Sequence, residues 1–381
     1  MENKISNLSD VEEIIAKKIE LRIKRKEGKK SAIIQEIVKE CCDYLHINQP
    51  EIIFCDTVMR NLSAFFLRGK SYIIYDNSLT EALYLFDSLI ILHGKDQDID
   101  KFFCKVFSEE LLVLGDLVHS LYFLGRYENA DFSFNMEEDS FAEEIKYHLS
   151  RQIYFLIGHE LTHLVLGQGA DEGVPSKFIK FIQVGTRLLL ERFLKDGMSE
   201  TELLSQVSNY FLIGGSTTFD DYMQMLGESS KFYYFVEECY CDFMSFKLLM
   251  GQYEDAKKSM AAISDVLNFL ITMEYIKESL DAGILHVGDK NKEAQNVLFF
   301  SVLRMQILLV VLQTNDLEEA FIAYDEIYSA SDIFAHLPAF IEQMADPAAM
   351  ELINESYLPD IDNKYTISYI LRNLYCFEID G

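Results

Sequence analysis

Proline is scarce in this 381-residue sequence, where it occurs five times, while 49% of the residues are hydrophobic. Disordered chains have the opposite composition, with few apolar residues and much proline. We therefore expect a folded chain with a large core. Because globular domains typically span about 100–200 residues, the length predicts two domains or one large domain.

A Cys-x-x-Cys pair is also lacking among the seven cysteines. This absence excludes a cysteine-type zinc ribbon and a thioredoxin-type redox motif. The odd number of cysteines, in a chain long enough to fold without disulfide bonds, is typical of a reducing compartment. We therefore expect a cytoplasmic protein.

Long apolar segments are missing as well. The N-terminal residues are acidic and polar and lack the apolar stretch of a signal peptide. The longest apolar run covers Val297–Leu312, and it is interrupted by Arg304 and Gln306. Since a membrane-spanning helix needs about 20 apolar residues, we expect this run to form a buried helix, and we expect no membrane association.

Basic residues are outnumbered, because 34 Lys and Arg face 62 Asp and Glu, a formal net charge of −28. Such an acidic chain is not expected to coat nucleic acid or an anionic membrane. One segment has the opposite sign, since residues 17–30 hold eight basic and two acidic residues. This segment is typical of a solvated helix face, and the alternative is a helix that binds a partner.

Helical periodicity dominates the sequence, and strand-like segments are confined to one region. Residues 51–55, 63–67 and 71–75 are rich in β-branched and aromatic residues, and Arg68-Gly69-Lys70 separates the last two as a hairpin turn would. The fold class is therefore predicted to be α+β and mainly α, with a small sheet. The helical patterns cover residues 78–93, 99–127, 140–167, 175–196, 200–212, 229–250, 252–282, 290–313 and 316–330.

The motif with the clearest functional implication is His159-Glu160-x-x-His163, which lies inside a strong helical pattern. Two histidines four residues apart project from the same helix face, so both imidazoles can reach one metal ion. Glu160 follows the first histidine and lies close enough to act on a water bound to that metal. Because a catalytic zinc has three protein ligands and one open position, a third ligand is needed.

The third ligand separates the known classes of such sites. The metzincin class has a glycine and a histidine at fixed positions after the motif, where this sequence has Leu166 and Gly169, so that class is excluded. Further along the chain, Glu238 and Asp242 lie four residues apart in another helical pattern and share a face. Such a glutamate can complete a zinc site while the aspartate accepts a hydrogen bond from a ligating histidine. Glu237 is an alternative ligand, but only Glu238 has Asp242 at the i+4 position.

Together these residues resemble the gluzincin metallopeptidases. The resemblance implies zinc ligands at His159, His163 and Glu238, a general base at Glu160, and a carboxylate at Asp242 that orients a histidine. In its helix-rich, cytoplasmic character the chain also resembles bacterial gluzincin-like proteins of phage exclusion and phage-repressor control.

The resemblance extends to the predicted strands and to a further catalytic group. The segment Asn61-x-x-Ala64-Phe65 resembles the edge strand that lies above such active sites and pairs with extended substrate. Gluzincins usually add a tyrosine or histidine that stabilises the oxyanion of the reaction. The resemblance makes His336 a candidate for this role, and the alternatives are Tyr240, Tyr275 and His286.

Two cysteines lie beside the third ligand. Cys239 and Cys241 are two residues apart, so on a helix they point about 200° apart and cannot both face one ion. We expect both to be small core residues rather than metal ligands.

The resemblance also implies an organisation and a function. We expect an N-terminal helical segment over residues 1–48, a zincin-like catalytic domain over 49–250 with a helical insertion at about 169–230, and a helical C-terminal lobe over 251–381. The implied function is zinc-dependent cleavage of a cytoplasmic protein or peptide. The alternatives are a zinc-binding pseudopeptidase that acts as a sensor or scaffold, which the intact Glu160 argues against, and a helical interaction protein.

Overall fold

The computed structural model of the chain combines helices with one three-stranded sheet, which confirms the predicted α+β, mainly α class. Among the residues that it describes, no helix is both long and apolar enough to cross a membrane. The structure describes residues 31–55, 58–114, 116–134, 139–168, 173–195, 197–211, 218–253, 255–281, 303–304, 306–308 and 333–344. The helices are α1 (Ala32–Leu45), α2 (Asn77–Ile91), α3 (Asp96–Leu114), α4 (Leu117–Glu128), α5 (Asp139–Gln168), α6 (Ser176–Lys195), α7 (Glu200–Phe211), α8 (Phe219–Leu226), α9 (Ser230–Gln252), α10 (Ala256–Asp281) and α11 (Ile333–Met344).

The sheet consists of β1 (Glu51–Cys55), β2 (Leu62–Leu67) and β3 (Lys70–Asp76), in the order β1-β3-β2. β1 runs parallel to β3, and β2 runs antiparallel to it. Arg68 and Gly69 join β2 to β3 with φ angles of 50° and 81°. A two-residue type I′ hairpin turn requires this pair of left-handed residues. The strands lie where the sequence predicts them, and β2 forms an edge of the sheet.

The long helix α5 lies at the centre of the fold. It packs against α9, α10, α2, α1 and strand β2. Its core-facing residues Ile145, Phe155 and Ile157 are at most 1% exposed. Burial of such apolar side chains is the main favourable term in folding, so we infer that α5 is firmly held on several sides.

Helices α5 and α9 approach each other closely at Gly158. A Cβ atom on Gly158 would lie 2.7 Å from the Ser245 Oγ and 3.1 Å from the Leu248 Cδ1. The Ser245 hydroxyl also donates a hydrogen bond to the Phe155 carbonyl across this contact. The missing side chain at position 158 therefore lets the two helices meet one residue away from His159.

The single helix predicted over residues 99–127 is wrong, because the structure has two helices there. α3 ends at Leu114 and α4 begins at Leu117. Asp116 is the N-cap of α4, and its carboxylate accepts a hydrogen bond from the His119 N–H at 3.2 Å. An N-cap residue has non-helical backbone angles, so this aspartate starts a new helix instead of continuing the previous one.

Several predicted segments fall wholly or partly outside the described residues. In the N-terminal segment 1–48 the structure describes α1, and the basic segment 17–30 lies outside. The patterns at 290–313 and 316–330 also lie outside, except for helical residues at 303–304 and 306–308. Helices α6, α7 and α8 occupy the described part of 169–230, the region predicted as a helical insertion.

Candidate metal centre

Helix α5 presents both histidines of the motif on one face. His159 is buried, His163 is partly buried, and their Nε2 atoms lie 3.2 Å apart. The two rings meet edge to face, with centroids 4.9 Å apart. The helical spacing therefore brings the two imidazoles together as the sequence predicts, with both Nε2 atoms directed to one point.

Glu238 of α9 completes a triangle of donor atoms with these histidines. Its Oε2 lies 3.4 Å from the His159 Nε2, and its Oε1 lies 3.2 Å from the His163 Nε2. Tetrahedral zinc with ligand bonds of about 2.0–2.1 Å places nitrogen and oxygen donors roughly 3.3 Å apart. The three donor groups are therefore close enough together to hold one metal ion.

The other ring nitrogens are occupied by carboxylates of α9. The His159 Nδ1 lies 2.9 Å from the Asp242 Oδ1, and the His163 Nδ1 lies 3.0 Å from the Glu237 Oε1. A histidine that donates its Nδ1 proton to a carboxylate keeps the Nε2 lone pair for a metal. The structure thus gives the two adjacent glutamates different positions, with Glu237 beside the ring edge and Glu238 facing both Nε2 atoms.

Arg304 pairs with the acidic residues of this centre. Its guanidinium donates to both oxygens of Asp242, at 2.7 Å for the Nη2–Oδ1 pair, and its Nη1 lies 2.9 Å from the Glu238 Oε2. Sequence analysis did not identify this residue as part of the site. The available signal was its place in the apolar run Val297–Leu312, because a charged residue in a buried segment needs a partner.

Electrostatics link these groups into one cluster. Burial lowers the pKa of His159, but its hydrogen bonds with Asp242 and Glu238 outweigh that effect and raise the pKa to about 9. Burial raises the pKa of the Glu238 carboxyl, but Arg304 and the two histidines hold that pKa well below its usual range. Arg304 and His159 likewise lower the pKa of Asp242 against the effect of burial. A metal ion that binds here must therefore displace imidazole protons, since ligating nitrogens are neutral.

Glu160 is held beside the ligands by strand β2. Its Oε2 accepts a hydrogen bond from the Ala64 N–H at 3.0 Å. Ala64 pairs with Ile73 of β3 through the strand register, and β2 is an edge strand. The backbone of β2 thus meets the carboxylate predicted to be the general base, and helix α5 packs along this strand.

A cleft opens over the donor atoms. A cavity of about 420 Å³ is lined by His159, Glu160 and Glu238 and by residues of β2 and α10. Leu267 and Leu270 of α10 and Leu62 of β2 form an apolar wall. The cleft is large enough to accommodate a side chain next to the candidate metal centre.

His336, the predicted catalytic donor, is not among the described residues that line this cleft, and its role stays a prediction. It lies on α11, and its Nε2 is 3.3 Å from the Asp96 Oδ1 at the start of α3.

Cys241 is buried, as the sequence predicts, and it also lies close to the two histidines. His159, His163 and Cys241 form a group that could hold a metal ion, since one ligand atom of each lies within 4.8 Å of the others. The Cys241 thiol is therefore a possible donor group near the histidines, in addition to the carboxylates of α9.

Comparisons with protein-family models, with curated proteins and with solved structures gave no match. The description of the site therefore rests on the residues and distances of this chain.

Proposed function

We propose that the protein is a zinc-dependent endopeptidase that cleaves a protein or peptide substrate in the cytoplasm. The supporting observation is the convergence of the His159 Nε2, the His163 Nε2 and the Glu238 carboxylate at 3.2–3.4 Å from one another, with Glu160 beside them. Two imidazoles and one carboxylate suit zinc, and this ligand set is typical of metallopeptidases.

Zinc, when bound, would polarise the scissile carbonyl and lower the pKa of a water molecule toward neutrality. Glu160 is positioned to accept a proton from the attacking water and to deliver it to the leaving amine. The hydrogen bond from the Ala64 N–H to the Glu160 Oε2 fixes this carboxylate at the edge of the sheet. Asp242 keeps the His159 ring oriented through the Nδ1 contact of 2.9 Å.

The edge of β2 supports a protein or peptide as the substrate. An extended peptide can add to an exposed sheet edge through backbone hydrogen bonds, while its alternate side chains enter pockets. Leu62 of β2 borders the same cleft that Glu160 and His159 line. A peptide aligned on β2 would therefore pass its backbone beside the general base, with an apolar side chain against Leu267 and Leu270.

Glu160→Gln tests the proposal. We expect the zinc-loaded wild type to cleave an unstructured protein such as casein or a quenched fluorescent peptide mixture, and E160Q to retain zinc but to lose cleavage by at least about 100-fold. Glu144 is a matched control, because it lies exposed on the same helix α5. E144Q should cleave as the wild type does.

Two results would contradict the assignment. Unaltered cleavage by E160Q would remove the role of Glu160 as general base. A wild type that holds one zinc per chain and cleaves none of a broad peptide library would favour the pseudopeptidase instead.

A further inference from the structure

Cys241 lies on the same face of α9 as Glu238. The two residues are three positions apart, and residues at this spacing are neighbours on a helix surface. The Cys241 side chain is 0% exposed, and its Sγ lies within 4.8 Å of one ring nitrogen each of His159 and His163. A buried thiol thus lies close to both histidines of the proposed zinc site.

We propose that Cys241 supplies a fourth ligand to the metal held by His159, His163 and Glu238, so that the resting centre is closed. This inference rests on the proposed zinc site and concerns its regulation. A zinc ion with three protein ligands keeps an open position for water, whereas a zinc ion with four protein ligands does not.

The distances allow this coordination after a small movement. Zinc–sulfur and zinc–nitrogen bonds of about 2.3 and 2.0–2.1 Å place the two donor atoms roughly 3.6 Å apart in a tetrahedral site. The Sγ lies within 4.8 Å of one ring nitrogen of each histidine, so each of these pairs has to approach by about 1.2 Å at most. Rotation about a single side-chain torsion moves a cysteine sulfur by more than this.

Coordination by a cysteine requires the deprotonated thiolate, which the metal ion itself would stabilise. A thiol loses its proton to solvent when it binds a metal ion, because the metal stabilises the thiolate. Glu238 shares its negative charge with Arg304, whose Nη1 lies 2.9 Å from the Glu238 Oε2. Because Arg304 offsets part of the charge of Glu238, a Cys241 thiolate would supply further negative charge to the metal ion. The fourth coordination position would stay closed until the sulfur dissociates.

Cys239 offers a matched control on the same helix. It is also buried, at 3% exposure, but it is two residues from Cys241 and so points about 200° away. It does not belong to the group of ligand atoms around the histidines among the described residues. A serine at either position changes one sulfur to oxygen and keeps the side chain nearly the same size.

Absorption spectroscopy of the cobalt(II)-substituted full-length protein tests the inference, because a thiolate bound to cobalt gives an intense near-ultraviolet charge-transfer band. We expect this band in the wild type and in C239S, and its loss in C241S and in the second variant C241A. Zinc affinity in C241S should fall by at least about 10- to 100-fold, because removal of a residue that only hydrogen-bonds to a metal ligand already costs this much. With saturating zinc, C241S should cleave peptides faster than the wild type.

The outcomes separate this inference from the proposed function. Cobalt binding without a thiolate band in the wild type, or a band of equal strength in C241S, would overturn the ligand role of Cys241 and leave the peptidase proposal standing. A thiolate band together with C241S cleavage no faster than that of the wild type would overturn the closed centre. Failure of the wild type to bind cobalt or zinc at all would overturn both proposals.

Discussion

Replacing Gly158 with alanine should separate the two helices that carry the candidate ligands. The added Cβ would lie 2.7 Å from the Ser245 Oγ and 3.1 Å from the Leu248 Cδ1. The hydroxyl of Ser245 cannot move freely, because it donates to the Phe155 carbonyl. The strain therefore has to be relieved by a shift of α9, which carries Glu238, relative to α5.

The magnitude follows from three opposing effects. Overpacking a tight contact costs about 1–3 kcal/mol, and loss of the hydrogen bond from Ser245 adds about 0.5–1.5 kcal/mol. Alanine in place of glycine inside a helix stabilises by about 1 kcal/mol. The net effect of G158A is therefore a destabilisation of roughly 0.5–3.5 kcal/mol, with weaker zinc binding because Glu238 moves away from the histidines.

Urea denaturation of the chelator-treated protein measures the loss of stability, and zinc titration measures the loss of zinc affinity. Gly167 provides the control, because it lies near the exposed end of the same helix and a Cβ there meets nothing within 4 Å. G167A should leave zinc binding unchanged and should stabilise by at most about 1 kcal/mol. If G158A is as stable as G167A, the close contact between α5 and α9 is not present.

Three further predictions concern groups around and beyond the centre. Burial raises the pKa of Asp87 from 3.8 to about 7. As the pH rises from about 4 to 7, the unfolded chain gives up this proton before the folded protein does, so the free energy of unfolding of the wild type should fall relative to D87N, by up to roughly 4 kcal/mol. Equal pH profiles of urea denaturation for the two proteins would refute this. Arg304→Met removes one of the two partners of the buried Asp242, the other being His159, and should destabilise the metal-free protein by about 3–5 kcal/mol. Added zinc should partly offset this loss in thermal melts, and wild-type stability would contradict the pairing. His336→Gln should cleave peptides at the wild-type rate because His336 contacts Asp96 and does not line the cleft, and a 100-fold lower kcat would support its predicted catalytic role.

Local spacing explains the part of the site that the sequence could predict. His159, Glu160 and His163 occupy one turn of helix, and Glu238 and Asp242 occupy another, so helical periodicity alone fixes which side chains share a face. The hairpin at Arg68 was likewise accessible from short-range patterns, whereas the edge position of β2 was implied by the family resemblance. These features depend on residues within a few positions of one another.

The remaining features depend on contacts between distant segments, which local patterns do not encode. Arg304 pairs with Asp242 across 62 positions of sequence, and no spacing rule connects them. His336 was selected from the resemblance to a family pattern, which did not reveal that its helix α11 packs on α3. Cys241 was assigned to the core because it is small and lies in an apolar helix, and only the position of α9 against α5 turns it toward the histidines.

Metal content tests the central claim most directly. The zinc content of freshly purified full-length protein, measured by elemental mass spectrometry, should be close to one equivalent per chain. The double variant H159A/H163A should contain essentially none, because the two imidazoles supply the Nε2 atoms that converge with Glu238. Absence of zinc from the wild type, or equal zinc in the double variant, would contradict a metal centre at these residues.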